Sequence, residues 1–156
     1  MNADKFNKTG HKNIAIGKRT SEGTGAYNVM IGIGAGASYN PATDSVNPEV
    51  VGTDNVLIGT DSGSSSVIGT YNTFIGAQSG TNLGMMCTGL GFRSGSESSG
   101  TVPSGSNNIY INAGGEYLHS TNNNGCYIKP IRPTSSAPGL KSLMYDPVTS
   151  EVVYLA

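Results

Sequence analysis

A five-residue motif, Asn-x-x-Ile-Gly, recurs along most of the chain and constrains its fold more than any other feature. Full copies occupy residues 13–17, 28–32, 55–59 and 72–76, and degenerate copies occupy 87–91, 108–112 and 125–129. Successive start positions differ by 15, 27, 17, 15, 21 and 17, which gives a base period of about 16 residues. A repeat this short predicts small units stacked along an axis rather than one globular core.

This period is too short for a helical repeat or a propeller blade, and it fits one coil of a β-solenoid. The chain holds 23 glycines and only 12% charged residues, and a second glycine often follows each motif. These second glycines are Gly36, Gly63, Gly80 and Gly95. Glycines of this kind suit corners that need positive φ, and stacked motif asparagines are expected to form a hydrogen-bonded ladder. The alternative is a meander in which Asn and Gly mark ordinary hairpin turns.

We therefore predict an all-β fold, a short-coil β-solenoid (β-roll) that spans residues 13–129 after a lead-in of residues 1–12. Two Pro-, Gly- and Ser-rich insertions, near residues 39–51 and 94–106, account for the longer spacings and are expected to be surface loops. We number positions from the first residue of each motif, so that Asn28 is position 0 and Met30 is position +2.

Strand alternation places positions +1 and +3 on one side and position +2 on the other. Both sides are apolar, and we expect the side chains at positions +1 and +3, such as Ile14 and Ile16, to line the interior. The side chains at position +2 would then form an exposed apolar row, which monomers rarely carry. We predict that a homotrimer, intertwined or side by side, buries this row. Its predicted interface consists of Met30, Leu57, Phe74, Tyr110 and Tyr127.

The repeat resembles the head repeats of trimeric autotransporter adhesins, although Ile follows Asn here by three residues rather than four. It resembles more closely the Asn-Thr-x-Ile-Gly repeats of fibre-like surface proteins of large DNA viruses of algae and of phage tail fibres. The resemblance covers roughly residues 13–129. It implies a non-enzymatic trimeric fibre or attachment module on a virion surface or tail, which would bind host-cell carbohydrate multivalently. A purely structural fibre shaft or a capsid decoration is the alternative.

Residues 130–156 differ in composition from the repeats. Pro130 and Pro133 require an extended chain, and two apolar runs, 143–145 and 152–155, flank Asp146-Pro147 and predict a β-hairpin. This hairpin resembles the segment before the self-cleaving intramolecular chaperone of endosialidase-type tail spikes. The matching residues are Met144, Tyr145, Thr149, Glu151, Val152 and Tyr154. The resemblance implies a chaperone domain removed after folding, and the chain would be either the mature product or a truncated form.

Composition and charge argue against several function classes. A net charge of −1 provides no basic excess for nucleic acid, and no apolar run is long enough to cross a membrane. His11 and His119 lie outside the repeats, so neither a catalytic pair nor a metal site is expected, and no cofactor is expected.

Asp54 and Asp61 flank one motif, and a pair of catalytic acids there is a minor alternative. A hexapeptide-repeat acyltransferase is the main enzyme alternative, but three hexapeptides make a longer coil of about 18 residues.

Cysteines and tyrosines complete the set of candidates. Cys87 occupies an Asn position and Cys126 a predicted core position, about 10 Å apart by two coil spacings, which exceeds disulfide range. Both are expected to be free thiols.

Tyrosines beside Asn, Ser and Thr are candidates for stacking on sugar rings. The candidate carbohydrate-binding residues are Tyr27, Tyr39, Tyr71 and Tyr117.

Overall fold

The computed structural model describes residues 11–20, 25–37, 39–40, 45–46, 52–64, 69–81, 84–96, 105–131 and 143–154. These residues form strands and turns and contain no helix. The strands at the motifs are β1 (Ile14–Ile16), β2 (Val29–Ile31), β5 (Val56–Ile58), β6 (Thr73–Ile75), β7 (Thr88–Gly91), β8 (Ile109–Asn112) and β9 (Cys126–Lys129). The remaining strands are β3 (Tyr39–Asn40), β4 (Ser45–Val46), β10 (Leu143–Asp146) and β11 (Glu151–Tyr154).

All seven motif strands form one parallel sheet in the order β1-β2-β5-β6-β7-β8-β9. In each pair of neighbouring strands, residues at the same motif position lie opposite each other. Met30 therefore lies opposite Leu57, and Leu57 lies opposite Phe74. Successive turns are also hydrogen-bonded to each other outside the sheet. The backbone N–H of Gly63 donates to the Ser79 carbonyl and that of Gly80 to the Ser94 carbonyl, each at 2.8 Å. The predicted β-solenoid is confirmed, and the meander alternative, which needs antiparallel pairing, is wrong.

The two sides of the sheet are the reverse of the prediction. At position +2, the side chains of Met30, Leu57, Phe74 and Tyr110 are buried inside the coil of a single chain, where they form the core with Ala35 and Cys87. The side chains expected inside, at positions +1 and +3, point outward, and Ile14 and Ile16 are exposed. Met30, Leu57, Phe74 and Tyr110 therefore cannot form an interface between chains, and Tyr127 is partly buried against the same core.

A ladder of asparagine side chains explains this orientation. Position 0 shares a face with position +2, and Asn28, Asn55, Asn72 and Asn108 are all buried. The Oδ1 of Asn28 accepts the backbone N–H of Asn55 at 2.9 Å, and its Nδ2 donates to the carbonyl of Gly52 at 3.0 Å. Asn13, Asn55, Asn72 and Asn108 bond the following turn in the same way. Buried amides need partners, and here the adjacent turn supplies them.

The motif glycine marks a corner where no side chain fits. Gly59 has a φ of 136°, and a Cβ built on it would lie 2.4 Å from the carbonyl oxygen of Gly76 in the next turn. The residue before each motif takes the left-handed conformation although none is glycine. These residues are Lys12, Tyr27, Asp54, Tyr71, Met86, Asn107 and Asn124, with φ between 57° and 61°. Positive φ at the corners is confirmed, but it is not confined to glycine.

The two insertions are only partly described, whereas the hairpin is described from 143 to 154. Strands β3 and β4 pair antiparallel within the predicted insertion near residues 39–51. Of the insertion predicted at 94–106, Ser94 and Ser96 are buried in the coil, and residues 97–104 lie outside the described part. Strands β10 and β11 form the predicted antiparallel hairpin.

Candidate functional site

The outward side of the seven-stranded sheet carries two columns of mostly apolar side chains, and we call it the outer sheet face. It comprises Ile14, Val29, Val56, Thr73, Thr88, Ile109 and Cys126 at position +1, and Ile16, Ile31, Ile58, Ile75, Leu90, Ile111 and Ile128 at position +3. Position +3 is Ile or Leu in every turn. Several of these side chains are about half exposed, for example Ile16 at 57% and Ile128 at 49%. Apart from Thr73 and Thr88 this face is apolar; its side chains in β2 and β5 are half-buried, and most of the others are exposed on the single chain.

The outer sheet face is long, narrow and free of charge. Six spacings of about 4.8 Å make it about 29 Å long, and its two columns lie about 7 Å apart. None of its fourteen side chains is ionisable except the thiol of Cys126. Contiguous apolar patches on soluble monomers are usually limited in extent and otherwise mark interaction sites. The face is therefore the strongest candidate interaction surface in the described part of the chain.

The buried side of the sheet has its own packing and needs no second chain. The rings of Phe74 and Tyr110 lie 6.5 Å apart, and those of Tyr110 and Tyr127 stack at 5.3 Å. The Tyr110 hydroxyl accepts a hydrogen bond from Asn108 Nδ2 at 2.9 Å, and burial raises the pKa of Tyr110. Gly89 leaves room for Phe74, since a Cβ there would meet the ring at 2.1 Å. The aromatic residues assigned to an interface instead fill the coil.

Two of the candidate carbohydrate-binding tyrosines lie on one corner of the solenoid. Tyr27, Asp54 and Tyr71 precede three consecutive motifs, so they stack in one row with the tyrosines about 10 Å apart. Tyr27 is 49% exposed and Tyr71 63%. The Lys12 ammonium lies 5.0 Å from the Tyr27 ring centroid, and the His11 ring packs edge-on against it at 5.6 Å. We call Tyr27, Asp54 and Tyr71 the tyrosine row.

The other two candidate tyrosines do not join this row. Tyr117 is half-buried, and the Arg93 guanidinium lies 4.4 Å from its ring centroid and 4.5 Å from that of Phe92. Arg93 also donates to Gln78 Oε1 at 2.9 Å and to the Gly115 carbonyl at 3.1 Å. The Tyr117 ring is therefore in contact with a cationic side chain of its own chain. Tyr39 lies in β3, where its side chain is outside the described part of the structure.

The two cysteines have opposite environments. Cys87 is buried at an Asn position, where its Sγ–H donates to the Gly105 carbonyl at 3.2 Å. Burial raises the pKa of the Cys87 thiol, and hydrogen bonding to the backbone of Asn108 and Asn107 opposes that shift to a smaller extent. Cys126 is exposed on the outer sheet face, so its predicted core placement is wrong. Both thiols are free, as predicted.

The candidate catalytic groups are not brought together. His11 precedes β1 at one edge of the sheet, whereas His119 lies between β8 and β9 at the other edge. Asp54 and Asp61 lie at opposite ends of β5, and Asp61 reaches back over Gly34. Within the described ranges, no group of three or more His, Cys, Asp or Glu side chains could hold a metal ion. The same ranges include no helix long and apolar enough to cross a membrane.

Sequence reasoning missed a second buried polar column, at position +7. Its members are Thr20, Ser62, Ser79 and Ser94, with Ala35 in the second turn. The Ser62 and Ser79 hydroxyls lie 3.0 Å apart, and Ser79 and Ser94 each donate to the carbonyl three residues earlier. The sequence signal for this column was a small residue seven positions after the start of each of the first six motifs. Like the asparagine ladder, this column is buried inside the coil.

Comparison with protein-family models, with curated proteins and with solved structures gives no match to this chain.

Proposed function

We propose that this chain is a non-enzymatic fibre module whose copies associate side by side through the outer sheet face as a homotrimer. The observation that carries the proposal is the unbroken column of Ile and Leu at position +3, in which five of the seven side chains are exposed and Ile31 and Ile58 are half-buried, although the fold already has its own core. Burial of apolar surface stabilises by about 25 cal/mol per Å². A side chain kept apolar in every turn is expected to be covered in the working assembly.

A second copy of the chain suits this face better than an unrelated protein. The face repeats about every 4.8 Å, and a partner that interdigitates along its length needs the same period. Another copy of this chain has the same period because it has the same repeats, and it can be placed parallel and in register. Closed cyclic symmetry satisfies all copies at once, and three narrow faces can meet around one axis parallel to the solenoid. The resemblance of the repeats to trimeric fibres favours three copies and a virion surface or tail as the setting.

The trimer is tested first by light scattering on a sizing column. One chain has a mass of 16.0 kDa, so the mass expected for three copies is about 48 kDa. A mass of 16.0 kDa, that of the single chain, would overturn the proposal. The variant Leu90→Glu places a charge on the outer sheet face and is expected to dissociate the assembly. Thr121→Glu introduces the same charge at an exposed loop position between β8 and β9 and is expected to leave the mass unchanged.

Cys126 provides an internal reporter of the same interface. It lies on the outer sheet face, whereas Cys87 is buried within the chain. In the native trimer both thiols are expected to resist maleimide, and Leu90→Glu is expected to expose Cys126 alone. Mass spectrometry distinguishes these states as zero or one adduct, with two adducts after denaturation. Rapid labelling of Cys126 in native wild-type protein would contradict coverage of this face.

We propose attachment to extended glycans as the activity of the tyrosine row. Exposed aromatic rings pack against the apolar faces of sugars, and the Asp54 carboxylate between them can accept hydroxyl hydrogen bonds. Three copies would multiply weak contacts through avidity. In a glycan array, Tyr71→Ala is expected to reduce binding, whereas Met86→Ala, at the same corner position one turn further on, is expected to preserve it. Absence of binding by the wild-type trimer would favour the structural shaft.

A further inference from the structure

The C-terminal hairpin has one apolar face that no other described strand covers. Registry places Leu143, Tyr145 and Val152 on one side, and Met144, Val153, Asp146 and Glu151 on the other. The first three, which we call the apolar hairpin face, are 75%, 63% and 68% exposed. Among the described strands, β10 and β11 contact only each other. A two-stranded hairpin in this state is marginally stable in water.

The size of this face limits what can cover it. Two strands of four residues form a surface about 14 Å long and about 10 Å wide. A specific interface between separate proteins buries about 800 Å² on each partner. A freely diffusing partner would therefore gain too little from this face, and a stable occupant must already be held nearby by another interface. The hairpin follows the solenoid on the same chain, so side-by-side solenoids would hold several hairpins together.

We propose that the hairpins of assembled chains pack apolar face to apolar face and clamp the chains together beyond β9. The occupant of each apolar hairpin face is thus the hairpin of another copy, and this inference rests on the proposed homotrimer. Linked sites act at millimolar effective concentration, which offsets the small area of each contact. Charge fixes the orientation, because Asp146 and Glu151 stay in water only when the apolar faces turn toward the axis.

Two adjacent valines provide a matched test in the chain of residues 1–156. Val152 lies on the apolar hairpin face and Val153 on the opposite face. Val152→Asp is expected to raise the concentration at which half of the trimer dissociates by at least about tenfold. Val153→Asp adds the same charge to the same strand and is expected to shift that concentration less than about threefold. Equal shifts for the two variants would overturn the clamp.

Hydrogen exchange of the segment 143–154 separates the clamp from its alternatives. Its amide protection is expected to rise with the trimer fraction as concentration increases. A wild-type trimer in which these amides exchange as fast as in the dissociated Leu90→Glu variant would overturn the clamp and leave the homotrimer intact. Protection that stays constant while the trimer fraction changes would mean that the hairpin packs on its own chain, and this result would also overturn the clamp. A monomeric wild-type chain would instead overturn the proposed function itself.

Discussion

The Oδ1 of Asn28 accepts two hydrogen bonds from Asn55 in the next turn, from its backbone N–H at 2.9 Å and from its Nδ2 at 3.1 Å. One side chain therefore sets the spacing and the register of two consecutive turns. Repetition of this contact links the first five turns, from Asn13 to the backbone N–H of Cys87, and the ladder is interrupted at Cys87. It also keeps position +2 on the inner side of every strand, because positions 0 and +2 share a face.

Removal of one rung should destabilise the chain. Asn55→Ala leaves the backbone N–H of Asn72 and the carbonyl of Gly69 without their buried partners. Each unsatisfied group costs about 1–3 kcal/mol, so we expect a loss of about 2–6 kcal/mol in the free energy of unfolding. Urea unfolding at fixed protein concentration measures it. Thr121→Ala, at an exposed loop position, should stay within about 0.5 kcal/mol, and a similar effect of both variants would contradict the ladder.

Restoration of the ladder at Cys87 should stabilise the chain. Sulfur is a weak acceptor, so the turn that begins at Cys87 lacks the amide oxygen that binds the next turn elsewhere. Cys87→Asn is expected to gain about 1 kcal/mol, seen as a higher Tm. The reverse change one turn earlier, Asn72→Cys, should lose a comparable amount. A lower Tm for Cys87→Asn would show that packing around the sulfur outweighs the hydrogen bond.

A methyl group at the motif corner should prevent close stacking of turns. In Gly59→Ala the new Cβ would lie 2.4 Å from the Gly76 carbonyl oxygen, and alanine would also have to adopt positive φ. We expect a loss of more than about 4 kcal/mol or failure to fold, measured by circular dichroism and thermal melting. Gly115→Ala is the matched control, because its Cβ would meet nothing within 4 Å. Equal melting of the two variants would disprove this steric explanation.

Acid should loosen the turn of the hairpin. Hydrogen bonds from the backbone N–H groups of Val148 and Thr149 lower the pKa of Asp146. Because the folded pKa is depressed, this stabilisation is present above the unfolded pKa and is lost as pH falls through the folded pKa. The Val148 amide resonance is therefore expected to shift toward its unfolded position at pH values below the ordinary aspartate range. Asp146→Asn keeps a carbonyl acceptor and should remove this titration; persistence of it would assign the effect to another group.

Much of the fold was predictable because its signals are local. The motif spacing set the period and the number of parallel strands, and the apolar runs around Asp146-Pro147 gave the hairpin. The two columns of the sheet were also separated correctly by strand alternation, with Ile14 and Ile16 on one side and Ala15 on the other. Of the candidate site, sequence placed Tyr27 and Tyr71 at equivalent repeat positions, from which a shared corner follows.

The inner and outer sides of the sheet were decided only by the tertiary structure. Hydropathy did not distinguish them, because Ile at +3 and Met, Leu, Phe or Tyr at +2 are all apolar. The deciding group is polar, since Asn at position 0 is buried at low cost only when the adjacent turn supplies its partners. Those partners are distant along the chain, as Asn28 and Asn55 are, yet adjacent in space. The sequence alone thus determined the repeat and its strands, and long-range hydrogen bonding determined which face of the sheet stays exposed.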